Sequence, residues 1–163
     1  MHAKTLIIAY GNRDREDDGA AWHILDKLAQ QLGLETPQFP GDQVSTPDGR
    51  LTLLYLFQLL PEMAEDIADY DQLIFIDAHN SPNLPNLVFE QVSPDQTHSA
   101  FTHHLAPGKL LAIAQILGKK LPQSWILSVR GFSFCFAQTL SKETSEMVDQ
   151  AFSRLLTHLS LTV

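Results

Sequence analysis

A short apolar run, Leu6-Ile7-Ile8-Ala9, stops at Gly11 and is followed by four acids within five positions, Asp14, Glu16, Asp17 and Asp18, before helical spacing begins. An apolar strand that hands over through a glycine turn to a helix is the opening of an alternating strand–helix chain. Apolar residues can be buried anywhere, but clustered carboxylates must face water or a cation. The pattern therefore puts a candidate anionic or metal-binding site at the carboxyl end of the first strand, where open α/β sheets hold their ligands.

The same alternation continues along the chain. Residues 4–10 read as a buried strand, and residues 18–32 as a helix with Trp22, Leu25, Leu28, Ala29 and Leu32 at helical spacing and Gly33 as its cap. Residues 35–50 are rich in Pro, Gly and Asp and read as a loop with room for a short hairpin. Leu51 to Phe57 is a second apolar strand with a helix as competitor, and Pro61 suits the first turn of a helix through Met63, Ala64, Ile67 and Ala68. Leu73 to Asp77 is the clearest strand and ends on an acid. Asn86 to Val92 reads as an edge strand, Pro107 to Leu117 as a helix, Trp125 to Val129 as a strand, and Ser141 to Leu159 as a closing helix with Ser141 as N-cap. The expectation is one α/β domain over residues 1–163, a three-layer α/β/α sandwich around a mostly parallel sheet.

Charge and cysteine usage exclude several classes. The formal net charge is −8, which disfavours nucleic acid and anionic lipid as partners. The single cysteine, Cys135, has no internal partner for a disulfide, and no run approaches the ~20 apolar residues of a membrane span. A cytoplasmic monomer is expected. Cys135 sits in Gly131-Phe132-Ser133-Phe134-Cys135-Phe136, which reads as aromatic packing around a buried thiol. There is no G-x-S-x-G, HExxH or G-x-G-x-x-G pattern.

Three features fall at strand ends or in the loops after them: Asp17-Asp18, Asp77, and the group His98, His103 and His104. Two carboxylates and an imidazole from separate segments suit a divalent ion such as Zn2+ or Ni2+ and leave positions open for a substrate. Each also has a plainer reading. Asp17-Asp18 can cap a helix, Asp77 can be a desolvated acid with a structural partner, and a histidine pair in a loop can be surface. Arg13 and Arg15 most simply neutralise the neighbouring acids.

At these residues the chain resembles the hydrogenase maturation proteases. Gly11-Asn12-Arg13-Asp14-Arg15-Glu16-Asp17-Asp18-Gly19 is similar to the family's G-N-x-x-x-x-D-D-G. Gln58 to Glu65 is similar to a Q-L-x-P-E-x-A segment of members serving bidirectional-type hydrogenases. Leu73 to Ala78 resembles a strand ending in D-A. Thr102-His103-His104-Leu105-Ala106-Pro107, followed by Leu110-Leu111, resembles T-H-x-x-x-P-x-x-L-L, and Phe132-Ser133-Phe134 with Leu140-Ser141 resembles the closing F-x-F…L-S. Ala9 and Ala21 stand where the family usually has glycine, and its G-G-T after the second strand is missing.

The resemblance implies an α/β sandwich and an endopeptidase that removes the C-terminal extension of a nickel-loaded [NiFe]-hydrogenase large-subunit precursor. Carried over by position, Asp18, Asp77 and His103 are the implied metal-contacting and catalytic residues, with Asp17 as a further carboxylate. The nickel belongs to the substrate, and Zn2+ or Cd2+ is expected to stand in for it on the isolated protein. Either the metal or a carboxylate would activate the attacking water. The competing expectations are a non-cleaving module that senses nickel in the same precursor and a small-molecule metallohydrolase.

Overall fold

The computed structural model describes residues 3–95 and 104–161. Six strands form one sheet: β1 (Thr5–Tyr10), β2 (Gln43–Ser45), β3 (Leu51–Leu56), β4 (Gln72–His79), β5 (Leu87–Val92) and β6 (Gln123–Arg130). Their spatial order is β2-β3-β1-β4-β6-β5. The four inner strands are mutually parallel, and the two edge strands run antiparallel. The fold is therefore a single α/β domain with a mixed, mostly parallel sheet. The short hairpin allowed for in residues 35–50 is β2 paired with β3.

Four helices cover the sheet: α1 (Ala20–Gln31), α2 (Met63–Asp66), α3 (Pro107–Ile116) and α4 (Lys142–His158). Strand alternation sorts the side chains into two cores. Ile7 and Ala9 of β1 and Ile74 and Ile76 of β4 pack with Trp22, Leu25 and Leu28 of α1 and Val148, Ala151 and Leu155 of α4. Leu6, Ile8, Leu73 and Phe75 point the other way, to Met63 and Ala64 of α2 and Leu110, Leu111 and Ala114 of α3. Each fully buried Ile, Leu or Phe contributes about 1.5–3 kcal/mol of transfer free energy, so both layers are needed to cover a sheet that is apolar on both faces.

The helix ends follow local chemistry. Gly33 adopts φ +67° after α1, and Leu34 N–H donates back to Ala29 O at 2.8 Å, the closure that a left-handed residue makes possible. Ser141 caps α4, accepting from Thr144 N–H at 3.2 Å. Two expected helices are modified. Glu16–Gly19 is a separate 3-10 turn before α1, and the helix after Pro61 is short, passing from α2 into a 3-10 turn at Ile67–Asp69. Ala9 and Ala21 are fully buried, and neither has positive φ, so alanine fits at both places without backbone strain.

The chain leaves β1 through α1 to reach β3 on one side, then returns past β1 through α2 to β4 on the other. The carboxyl ends of β1 and β4 thus flank the point where the winding direction reverses, the place where such sheets open a crevice.

Candidate active site

The β1 strand ends in a tightly folded loop. Gly11 has φ +143°, and a Cβ there would lie 2.2 Å from the carbonyl oxygen of Asp18, so only glycine fits. This close approach lets Asn12 N–H donate to Asp18 Oδ2 at 2.9 Å. The loop is pinned from α1 as well. Trp22 Nε1 donates to Gly11 O at 3.0 Å, and Arg13 Nη2 donates to Asp26 Oδ2 at 3.1 Å. Asp26 also accepts from the Tyr55 hydroxyl at 3.1 Å. Arg13 therefore pairs with α1 and not with the acids beside it. Arg15 likewise turns away, donating through Nε and Nη2 to Phe134 O at 3.2 and 2.9 Å.

Three of the four clustered acids fasten this loop to the segment between β6 and α4. Asp14 Oδ1 accepts from Gln138 Nε2 at 2.7 Å. Glu16 Oε2 accepts from the Ser133 hydroxyl and, at 3.0 Å, from Cys135 N–H. Asp17 is fully buried and takes four donors: Phe132 N–H at 2.7 Å, Ser133 N–H at 2.9 Å, and Ser141 through N–H at 2.8 Å and Oγ at 2.7 Å. Burial alone would raise its pKa, but the donors from Phe132, Ser141 and Ser133 outweigh it and hold the carboxyl below its ordinary value. The packing here requires Gly131, where a Cβ would lie 2.7 Å from the Phe134 ring and 2.9 Å from Asp17 Cβ.

Asp18 alone of the four lines the cleft above the sheet. That cleft has a volume of about 620 Å3 and is walled by Asn12, Arg15, Phe57, His79, His104 and Phe134 among others. Beneath it, β4 carries Asp77 and His79 two residues apart, on the face shared with Leu73 and Phe75. Tyr10 ends β1 on the same face, and its hydroxyl donates to Asp77 Oδ2 at 2.9 Å. Ser128 is the register partner of Asp77 on β6.

Burial pushes the Asp77 carboxyl above the usual range. The hydroxyls of Ser128 and Tyr10 and the nearby His79 offset part of this, and Asp18 adds to the upward push. The Ser128 hydroxyl is committed at 2.8 Å to His79 Nδ1, and Asp77 Oδ1 is buried without a hydrogen bond. His79 Nε2 is also buried and without a partner. The Tyr10 hydroxyl is held firmly neutral, first by burial and then by the Asp77 charge.

The structure thus brings Asp18 and Asp77 to one end of the sheet, as their sequence positions imply, and places Asp17 beside them in a different setting. His98 and His103 lie outside the described residues; His104 is exposed on the cleft wall. Among the described residues, no three His, Cys, Asp or Glu side chains come together as a metal-holding group. His79 is the addition that the sequence reading lacked. Extending the strand ending at Asp77 by two positions would have put it on the same face. The expected buried setting of Cys135 is corrected: the thiol is exposed and Phe136 is 86% exposed, because Phe134 alone of this run turns in to Gly131 and the cleft. Another hollow of about 590 Å3 lies at the opposite end of the sheet, lined by Thr5, Asp48, Arg50, Gln72 and His158 among others, and holds none of the four clustered acids. No helix among the described residues is long and apolar enough to cross a membrane.

No protein-family model and no curated protein matches the sequence. Solved structures do match the fold. The hydrogenase maturating endopeptidase HybD from E. coli superposes with a TM-score of 0.70 at 19% identity, over 96% of this chain and 92% of its own. The hydrogenase 2 maturation peptidase from a Thaumarchaeota archaeon gives 0.64 at 21% identity, over 98% and 99%. The [NiFe] hydrogenase maturation protease HycI from Thermococcus kodakarensis gives 0.67 at 16% identity, over 97% and 93%. The chain has the fold of these endopeptidases over 96–98% of its length.

Proposed function

We propose that this chain is an endopeptidase that removes the C-terminal extension of a [NiFe]-hydrogenase large-subunit precursor after nickel has been loaded. The fold likeness supports the class, and one observation supports the site: a buried Asp77 oxygen without a partner, under a cleft into which Asp18 opens. A desolvated carboxylate oxygen left unpaired suits a cation arriving with a ligand. Carboxylates and imidazole are fitting donors for nickel or zinc. Where the ion arrives with a substrate, the substrate brings ligands of its own. The nickel is then read as cargo of the precursor.

In this reading Asp18, Asp77 and His103 contact the precursor's nickel and fix the scissile bond beside it, which supplies specificity through positioning. Asp18 is the carboxylate placed to take a proton from the attacking water. Asp17 is not assigned that role, since four donors already occupy it. The Gln58–Glu65 segment favours a bidirectional-type hydrogenase as the client, and the acidic chain is read as a cytoplasmic monomer. Replacing Asp18 or His103 with alanine should abolish processing while circular dichroism and urea unfolding stay as in the wild type. Wild-type cleavage rates in both variants would refute the site assignment.

A further inference from the structure

We propose that His79 Nε2 and Asp77 Oδ1 form the β4 half of a divalent-metal site, whose other half comes from Asp18 and from the substrate that carries the ion. The biological identity of that ion rests on the endopeptidase reading; the half-site itself rests on geometry. The two residues sit at i and i+2 on β4, so their side chains leave the same face of the sheet, with Cα atoms about 6.6 Å apart along an extended strand. Side chains at that separation can lean toward one ion at the usual ligand distances of about 2 Å.

Both ligand atoms are buried and neither has a hydrogen-bond partner. The other buried polar atoms in that condition among the described residues are His23 Nε2, Trp125 Nε1 and Arg130 Nε. Tryptophan and arginine nitrogens are donors only, and His23 lies on α1, whose inward side chains belong to the opposite face. Asp77 and His79 are therefore the two stranded groups that share a face and a strand end, and His79 reaches the cleft wall.

Each already has the outer support that metal ligands carry. Tyr10 donates to Asp77 Oδ2 at 2.9 Å, leaving Oδ1 open. Ser128 meets His79 Nδ1 at 2.8 Å. With the serine hydroxyl accepting there, Nδ1 carries the imidazole proton and Nε2 presents its lone pair. A second-shell oxygen on one ring nitrogen is how a ligating histidine is fixed in tautomer and orientation.

The experiment is a Zn2+ titration of the full-length 15N-labelled chain, followed by long-range 1H–15N spectra of the imidazole rings, with assignments from single His→Gln variants. The expected result is His79 as the Nδ1–H tautomer before titration, with its Nε2 resonance moving to the metal-bound range while Nδ1 stays protonated. Ser128→Ala should weaken Zn2+ binding about 10–100-fold, and His79→Gln should weaken it further. Zn2+ that shifts other imidazoles, or none, and leaves His79 unmoved overturns the proposal, as does a folded His79→Gln variant that binds like wild type. Precursor processing is scored separately. Zinc binding through His79 without processing refutes only the endopeptidase reading, and processing with an unmoved His79 refutes only the half-site.

Discussion

Replacing Asp17 with asparagine tests whether the acid cluster is a fastening device. The substitution keeps shape and removes the charge. An asparagine is best placed with its oxygen at the Oδ2 position, where three donors converge from Phe132, Ser133 and Ser141. Its amide then faces Ser141 N–H, which Oδ1 accepts at 2.8 Å in the native chain. One bond to a charged acceptor, worth about 1.5–3 kcal/mol, is lost, and the stranded N–H adds about 1–3 kcal/mol. The total is about 2.5–6 kcal/mol, a large share of the ~5–15 kcal/mol that holds a domain folded. For a chain of this size it corresponds to a fall in Tm of about 5–24 °C.

Urea unfolding of both proteins at pH 7, fitted for midpoint and slope, measures it. The pH dependence adds a signature. The folded pKa of Asp17 is lowered, so its contribution is present above the unfolded value near 4 and is lost as pH falls through the folded value. The gap between wild type and Asp17→Asn should therefore narrow in acid. A variant within ~0.5 kcal/mol of wild type at pH 7, or a gap that does not narrow, refutes the fastening account.

Gly131→Ala should destabilise by about 1–3 kcal/mol, because the new methyl meets the Phe134 ring and Asp17 Cβ; thermal melts would show it, and an unchanged Tm would contradict the close packing. Asp77→Asn should leave stability at pH 7 unchanged or raised, since the folded pKa of Asp77 is shifted up and its charge is unfavourable there, with that penalty growing as pH rises through the folded value. The same variant should lose processing; chemical denaturation at several pH values separates the two effects. His158 contributes with the sign opposite to Asp77. Burial lowers its pKa in the folded chain, so stability is full above the unfolded value near 6.5 and declines as pH falls through the folded one; His158→Phe should flatten that part of the curve.

The alternation of apolar runs and helical spacing made most of the sheet and helices legible in the sequence, because both faces of a parallel sheet must be covered and leave continuous Ile, Leu and Phe runs. The strand β2 was harder to read, since two exposed polar residues around a half-buried Val44 owe their conformation to β3. Asp18 and Asp77 were legible as strand-end acids. The role of Asp17 was not, because its donors lie 115 to 124 residues away and leave no local pattern. His79 was passed over for a related reason: nothing in its neighbours marks it until the length of β4 fixes which face it takes. Arg13 and Arg15 looked like local counter-ions, but a helix acid and a loop carbonyl claimed them instead.

Incubating the purified chain with a hydrogenase large-subunit precursor, with and without nickel, and weighing the intact products tests the proposed activity most directly. Loss of a C-terminal peptide from the nickel-loaded form alone, and no loss with Asp18→Ala, is the predicted result. A stable complex that is never cut, or cutting that ignores the nickel, would contradict it.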